Sequence, residues 1–148
     1  LFYNPYLCLN SIPMKLDILA FGVHPDDVEL GCAGTIMASI DQGKKVGIVD
    51  LTRGELGTRG TPTTRTQEAE AAAKIMGVDV RENLDMADGF FVNDEAHQRK
   101  IIALIRKYQP DIILANAPED RHPDHGRSAK RILSYRTLGQ LAALWRGA

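Results

Sequence analysis

Residues 16–27 read LDILAFGVHPDD. Leu16 to Gly22 is a short apolar run closed by a glycine, the pattern of a buried strand. His24, Pro25, Asp26 and Asp27 follow at once. From Asp26 to Gln42, apolar residues then fall at helical spacing (Leu30, Ala33, Ile36, Met37, Ile40), with Gly43 where a helix C-cap belongs. A buried strand, a polar corner and a helix in this order make the opening of a βαβ unit.

The rest of the chain repeats the alternation. Lys45–Leu51 reads as a second buried strand, Thr52–Thr64 as a Gly-, Thr- and Arg-rich loop, and Arg65–Met76 as an alanine-rich helix capped by Gly77. Val78–Leu84 is a weak strand, and Asp94–Tyr108 a helix with an apolar stripe of Ile101, Ile102, Leu104, Ile105 and Tyr108. Asp111–Ala115 reads as a buried strand, followed by a loop and a helix from about Asp124. The expected fold class is α/β, a Rossmann-like three-layer sandwich with a mostly parallel sheet. In the common strand order 3-2-1-4, the first and fourth strands are neighbours, and ligands bind in the crevice at their carboxyl ends. The two densest polar clusters follow those two strands: His24-Pro25-Asp26-Asp27 and Arg121-His122-Pro123-Asp124-His125.

Composition sets the bounds. The 148 residues make one domain at about 150 residues per domain. With 18 Lys+Arg against 19 Asp+Glu, the net charge of −1 excludes a strongly basic nucleic-acid binder. No apolar run is long enough for a membrane span. Cys8 and Cys32 are too few for a disulfide framework, which fits a reducing, cytoplasmic compartment. Residues 1–13 lack the basic start of a secretory signal and read as a disordered leader before Met14. Neither a G-x-G-x-x-G after the first strand nor a P-loop occurs. The loop Arg53–Gly60 reads equally as an anion-binding loop and as a plain surface loop. Gly31 and Gly34 suggest close helix packing, Cys32 a small buried hydrophobe and His97 a solvated side chain; Ser39 and Ser128 have no visible base partner.

One His-Pro-Asp corner alone reads first as a helix cap or turn. Two of them at one switch point, holding three of the four histidines, favour a site. A catalytic zinc takes three such ligands and keeps a position open for water. His24, Asp27 and His125 are the expected metal ligands. Asp26 then stands beside the metal as general base. His122 is placed to stabilise an oxyanion and protonate a leaving amine, with Asp124 orienting its ring.

These residues carry a resemblance. FGVHPDDVELGCAGTI (21–36) and RHPDHGRSA (121–129) resemble the two motifs of the LmbE/PIG-L-like zinc de-N-acetylases. DLTRGELGTRGTP (50–62) and ENLDMADGFF (82–91) resemble the branch that deacetylates N-acetylglucosaminyl-malate in bacillithiol biosynthesis. The resemblance implies a Rossmann-like fold, one Zn2+ per chain bound by His24, Asp27 and His125, and a small N-acetyl sugar conjugate as substrate. It implies Asp26 as base, His122 with Asp124 at the tetrahedral intermediate, and Arg65, Asp88 and Arg121 as substrate-binding residues, Asp88 holding sugar hydroxyls. Homo-oligomers are common in the family. The resemblance covers residues 14–131, expected to form the deacetylase domain. Residues 132–148 depart from the family's pattern and are read as an atypical tail on a catalytic domain shortened at its C-terminus. Two competing expectations are deacetylation of another N-acetyl sugar or glycolipid precursor, and an inactive fragment that only binds metal or a partner.

Overall fold

The structure, a computed structural model, describes residues 14–130 and 132. The leader and nearly all of the atypical tail lie outside the described residues. In chain order the elements are β1 (Ile18–Gly22), α1 (Asp27–Asp41), β2 (Val46–Thr52), α2 (Pro62–Met76), β3 (Val80–Met86), α3 (Glu95–Tyr108) and β4 (Ile112–Leu114). A further helix, α4, is described over 123–130. The four strands form one parallel sheet in the order β3-β2-β1-β4, so β1 and β4 are neighbours as expected.

Strand periodicity sorts the core into two layers, because successive side chains leave opposite faces of a sheet. Ile18 and Ala20 of β1 and Val46 and Ile48 of β2 pack with Val28, Ile36 and Met76 of α1 and α2. Leu19, Phe21, Val49 and Leu51 face the other way, against Ile101, Leu104, Ile105 and Tyr108 of α3. Each such large apolar side chain contributes about 1.5–3 kcal/mol on burial.

Four local expectations are corrected. In α1, Leu30 is 84% exposed and Met37 43%, and the buried residues are Val28 and Ile36. A break at Cys32 (φ −152°, ψ 18°) separates the first turn, which carries Leu30, from the rest of the helix. Gly31 and Gly34 do not mark close packing, since a Cβ at either would meet nothing within 4 Å. β4 is only three residues long, and Ile112 is half-exposed at the sheet edge. Finally, α2 starts at Pro62 rather than Arg65, because Thr61 and Thr64 form a reciprocal capping box and proline suits the first helical turn.

β3 carries an irregularity that matters for the site. Asn83 pairs with Asp50 and Met86 with Thr52, so three steps on β3 answer two on β2. The extra residue sits beside Asp85, whose φ of 51° an aspartate tolerates. Asp85 N–H donates to Asn83 Oδ1 (2.8 Å), Asn83 Nδ2 donates to Thr52 O (2.6 Å), and Arg53 Nε donates to Asp85 Oδ1 (2.6 Å). The bulge turns Met86 into the core and leads the chain to Asp88 beside β1's end.

Candidate functional site

At Gly22 the chain leaves β1 and folds back on the strand end. A Cβ there would lie 3.1 Å from the Cβ of Asp27 and 3.2 Å from the His24 carbonyl oxygen, so glycine permits the close turn. Asp27 fastens the corner: its Oδ2 accepts the N–H groups of Val23 (2.9 Å) and His24 (3.0 Å) and the Nδ2 of Asn116 (3.1 Å), just beyond β4. With Oδ2 taken by three donors, Oδ1 is left for other use and lies 3.3 Å from His125 Nε2.

Asp26 occupies the N-cap position of α1, yet its side chain makes no capping bond. It is half-exposed and 3.3 Å from Arg65 Nη2. Arg65 is held in turn by the Gly54 carbonyl (3.1 Å). The loop expected to bind an anion or stay plain thus wraps an arginine of its own chain. A Cβ at Gly54 or Gly57 would sit 2.5 Å from Arg65 Nη1.

The two distant histidine corners meet. His24, Asp27 and His125 each offer one ligand atom, all within 4.8 Å of one another. His24 Nδ1 is 3.7 Å from Asp27 Oδ2. Two donors each about 2.0–2.1 Å from a tetrahedral ion lie about 3.3 Å apart, so the set is the right size for one zinc-like ion. The outward nitrogens are supported as well: His24 Nε2 lies 2.9 Å from Asp88 Oδ1, and His125 Nδ1 lies 3.1 Å from Asp120 Oδ2. A second set, His24, His122 and Asp124, also lies within 4.8 Å. In it the Asp124 carboxylate is already engaged, by the Gly89 N–H at 3.0 Å and by Arg127 Nη1 at 3.2 Å. The first set therefore fits a metal better.

Electrostatics agree with that choice. Burial pushes the Asp27 carboxyl up, but the His24 ring, the backbone N–H donors, the nearby His125 and Asn116 outweigh it and bring it to about 2. Asp27 is thus ionised throughout the neutral range. Burial lowers His24, while Asp27 and Asp88 more than compensate and raise it above the usual histidine value.

His122 is exposed at the rim, its ring centroid 5.0 Å from that of His24 and 4.8 Å from that of His125. The Asp124 carboxylate, expected to orient its ring, has an oxygen within 4.8 Å of a His122 ring nitrogen. What reaches His122 Nδ1 is the Asp124 backbone N–H, at 3.4 Å, while the side chain, 1% exposed, ties α4 to the loop after β3. Asp88 is 6% exposed, with Oδ1 on His24 and Oδ2 accepting the Leu56 N–H (3.1 Å), so it stands directly behind one of the expected ligand histidines. Arg121 is exposed and makes no hydrogen bond or ion pair among the described residues. His97 is not merely solvated: its Nδ1 lies 2.6 Å from Asp94 Oδ1 at the start of α3.

Sequence reasoning missed Asn116, Asp120 and Glu55. Glu55 Oε1 accepts the Asp88 N–H (2.8 Å), and Asp120 Oδ1 accepts the His122 N–H (2.8 Å). A carboxylate two residues before a histidine is an Asx-turn signal that would have marked Asp120; nothing local marked Asn116.

The site lies between two recesses. One, of about 510 Å3, is lined by Asp27, Asn116, Asp120 and His125. The other, of about 590 Å3, is lined by Asp26, Arg59, Arg65 and Glu68. The residues around them make up a three-ligand position sized for a metal, a half-exposed carboxylate paired with Arg65 and a rim imidazole, a set suited to hydrolysis.

Comparison with known proteins places this arrangement. The chain is 32% identical over 118 residues to the diacetylchitobiose deacetylase of Thermococcus kodakarensis, covering 73% of this chain and 44% of that protein. Among solved structures it resembles a conserved protein from Thermus thermophilus, with a TM-score of 0.77 and 39% identity, over 82% of this chain and 55% of the other. It also resembles the N,N'-diacetylchitobiose deacetylase from Pyrococcus horikoshii, with a TM-score of 0.74 and 29% identity, over 80% and 48%. The chain thus spans about half the length of each of these three. Residues 19–135 match the GlcNAc-PI de-N-acetylase (PIG-L) family, and the chain belongs to it.

Proposed function

We propose that this chain carries the metal site and acid-base groups of a hydrolase that removes the acetyl group from the nitrogen of an N-acetylglucosamine conjugate. Residues 14–131 form the deacetylase domain in this reading. The observation that carries it is the convergence of His24, Asp27 and His125 within 4.8 Å, with the uncapping, half-exposed Asp26 beside them.

A divalent metal such as Zn2+, one per chain on His24, Asp27 and His125, lowers the pKa of a water and polarises the acetyl carbonyl when bound. Asp26 accepts the proton of the attacking water, and Arg65 at 3.3 Å steadies its carboxylate. His122, at the rim beside His24 and His125, stabilises the oxyanion and delivers a proton to the departing nitrogen. Collapse breaks the C–N bond and gives acetate and a free amine. The Asp124 carboxylate, with an oxygen within 4.8 Å of a His122 ring nitrogen, orients that imidazole and balances its charge when protonated.

The recess containing Arg59 and Arg65 supports an anionic aglycone, as in N-acetylglucosaminyl-malate of bacillithiol biosynthesis, and the exposed Arg121 is a further substrate-binding residue in this reading. A second reading, deacetylation of a neutral chitooligosaccharide, is favoured by the two diacetylchitobiose deacetylases among its relatives. A cytoplasmic homo-oligomer is the accompanying expectation. No described helix is long and apolar enough to cross a membrane.

Acetate release from N-acetylglucosaminyl-malate and from diacetylchitobiose, measured beside metal content, tests both readings. About one zinc per chain and turnover of the malate conjugate are expected. Asp26→Ala should keep the metal and lose about 10²–10⁴-fold in rate. Wild-type turnover in that variant removes Asp26 from the mechanism, and release from the chitobiose alone selects the second substrate.

A further inference from the structure

Two carboxylates stand behind the histidine corners. Asp88 and Asp120 lie on different loops, after β3 and after β4, yet stand in the same relation to the two histidines. Each has one oxygen on the ring nitrogen that faces away from the ligand cluster. Each has the other oxygen on a backbone N–H: Leu56 for Asp88 (3.1 Å) and His122 for Asp120 (2.8 Å).

An ionised carboxylate can only accept hydrogen bonds, so in a neutral ring the nitrogen hydrogen-bonded to it carries the proton. We infer that Asp88 and Asp120 are positioning residues that set opposite tautomers on the two ligand histidines. Asp88 fixes the proton of His24 on Nε2 and leaves Nδ1 as the lone-pair donor beside Asp27, 3.7 Å away. Asp120 fixes the proton of His125 on Nδ1 and leaves Nε2 as the donor, 3.3 Å from Asp27 Oδ1. The inference rests on the metal-site reading above.

The two anchors differ in what holds them. Asp88 is buried, its N–H taken by Glu55 and its Oδ2 by Leu56, so the 53–57 loop and the β3 bulge jointly fix it. Asp120 is exposed and held within its own turn, where it also fixes the backbone of His122. Loss of Asp88 therefore disturbs one ligand, whereas loss of Asp120 disturbs a ligand and the rim imidazole together.

Two measurements test this, neither needing substrate. Nitrogen-15 NMR of the histidine rings, on metal-free wild-type chain at alkaline pH, where the raised His24 ring is also neutral, reads each tautomer directly; Nε2–H on His24 and Nδ1–H on His125 are expected. The opposite tautomer on either ring overturns the assignment for that ring, whatever the metal does. Calorimetric titration with Zn2+ then compares wild type with Asp88→Asn and Asp120→Asn. Each variant should bind zinc about 10–100-fold more weakly, the usual effect of removing a carboxylate behind a ligand histidine. His97→Asn, which removes the histidine distant from the cluster, should bind as wild type. Zinc affinity within twofold of wild type in both aspartate variants overturns the inference while leaving the metal site standing. A wild-type chain that takes no zinc overturns the site itself.

Discussion

Asp27 is asked both to close a turn and to keep an oxygen free, and the two oxygens divide the work. Its folded carboxyl, at about 2, lies below its ordinary value of 3.8. A lowered acid contributes stability that is fully present above the unfolded value and is lost as pH falls toward the folded one. A shift of this size corresponds to about 2 kcal/mol. Metal-free wild type should therefore lose about that much between about pH 5 and pH 2 beyond what Asp27→Asn loses, as measured by urea unfolding. Equal losses in both would remove Asp27 as the acid-sensitive residue. Gly57 offers a different test. A methyl group there meets the end of the flexible Arg65 side chain at 2.5 Å and the Gly54 carbonyl oxygen at 3.1 Å, so Gly57→Ala should cost about 1–2 kcal/mol. It should nevertheless push Arg65 away from Asp26, cutting acetate release several-fold at unchanged zinc content; unchanged turnover would show that Arg65 does not act through Asp26. The histidines and Asp26–Asp27 were legible because reactive residue types stood together in the sequence. Asp88's partner was not, since a bulge several residues upstream decides where its carboxylate ends up.

Among the elements, α3 and α1 show where periodicity succeeds and fails. α3 could be read almost residue by residue, because it is unbroken and its stripe faces one layer. α1 could not, because a break at Cys32 separates its first turn from the rest. What locks α1, α2, β2 and β3 together is Arg81, which no motif marked. Its guanidinium pairs bidentately with Asp50 (2.8 and 3.0 Å), reaches Glu29 on α1, and donates to the Ala69 carbonyl on α2 (3.0 Å). Burial outweighs that pairing and pushes the Asp50 carboxyl up to about 6. Arg81→Met should cost about 3–5 kcal/mol near neutral pH, because it strands two carboxylates in the interior. Without the guanidinium Asp50 holds its proton to still higher pH, so the penalty should shrink as pH falls from about 8 to about 5, where protonation removes the stranded charge. Urea unfolding across that range checks it, and a penalty independent of pH would mean that lost packing, not buried charge, is the cause.

For the molecule as a whole, the sheet order decides that positions about 100 residues apart share one site. That order was legible from the alternation of elements, and the crevice between β1 and β4 followed from it. The short, half-exposed β4 was not legible, because an apolar run says nothing about which neighbour will cover it. The same topology makes metal binding a long-range tie. His24 and Asp27 stand on the β1 corner and His125 on α4, so an ion held by all three links the first and last described parts of the sheet. Such an ion binds the folded chain and not the dispersed ligands of the unfolded one. At 100 times its dissociation constant it should add about 2.7 kcal/mol. Zinc should therefore raise the Tm of wild type by several degrees. His125→Ala, which removes a side chain at the edge of the cavity, should leave the metal-free Tm nearly unchanged and abolish most of the rise. Differential scanning calorimetry with and without zinc reads both quantities. An equal rise in wild type and variant would place the ion elsewhere and break the link between the two corners.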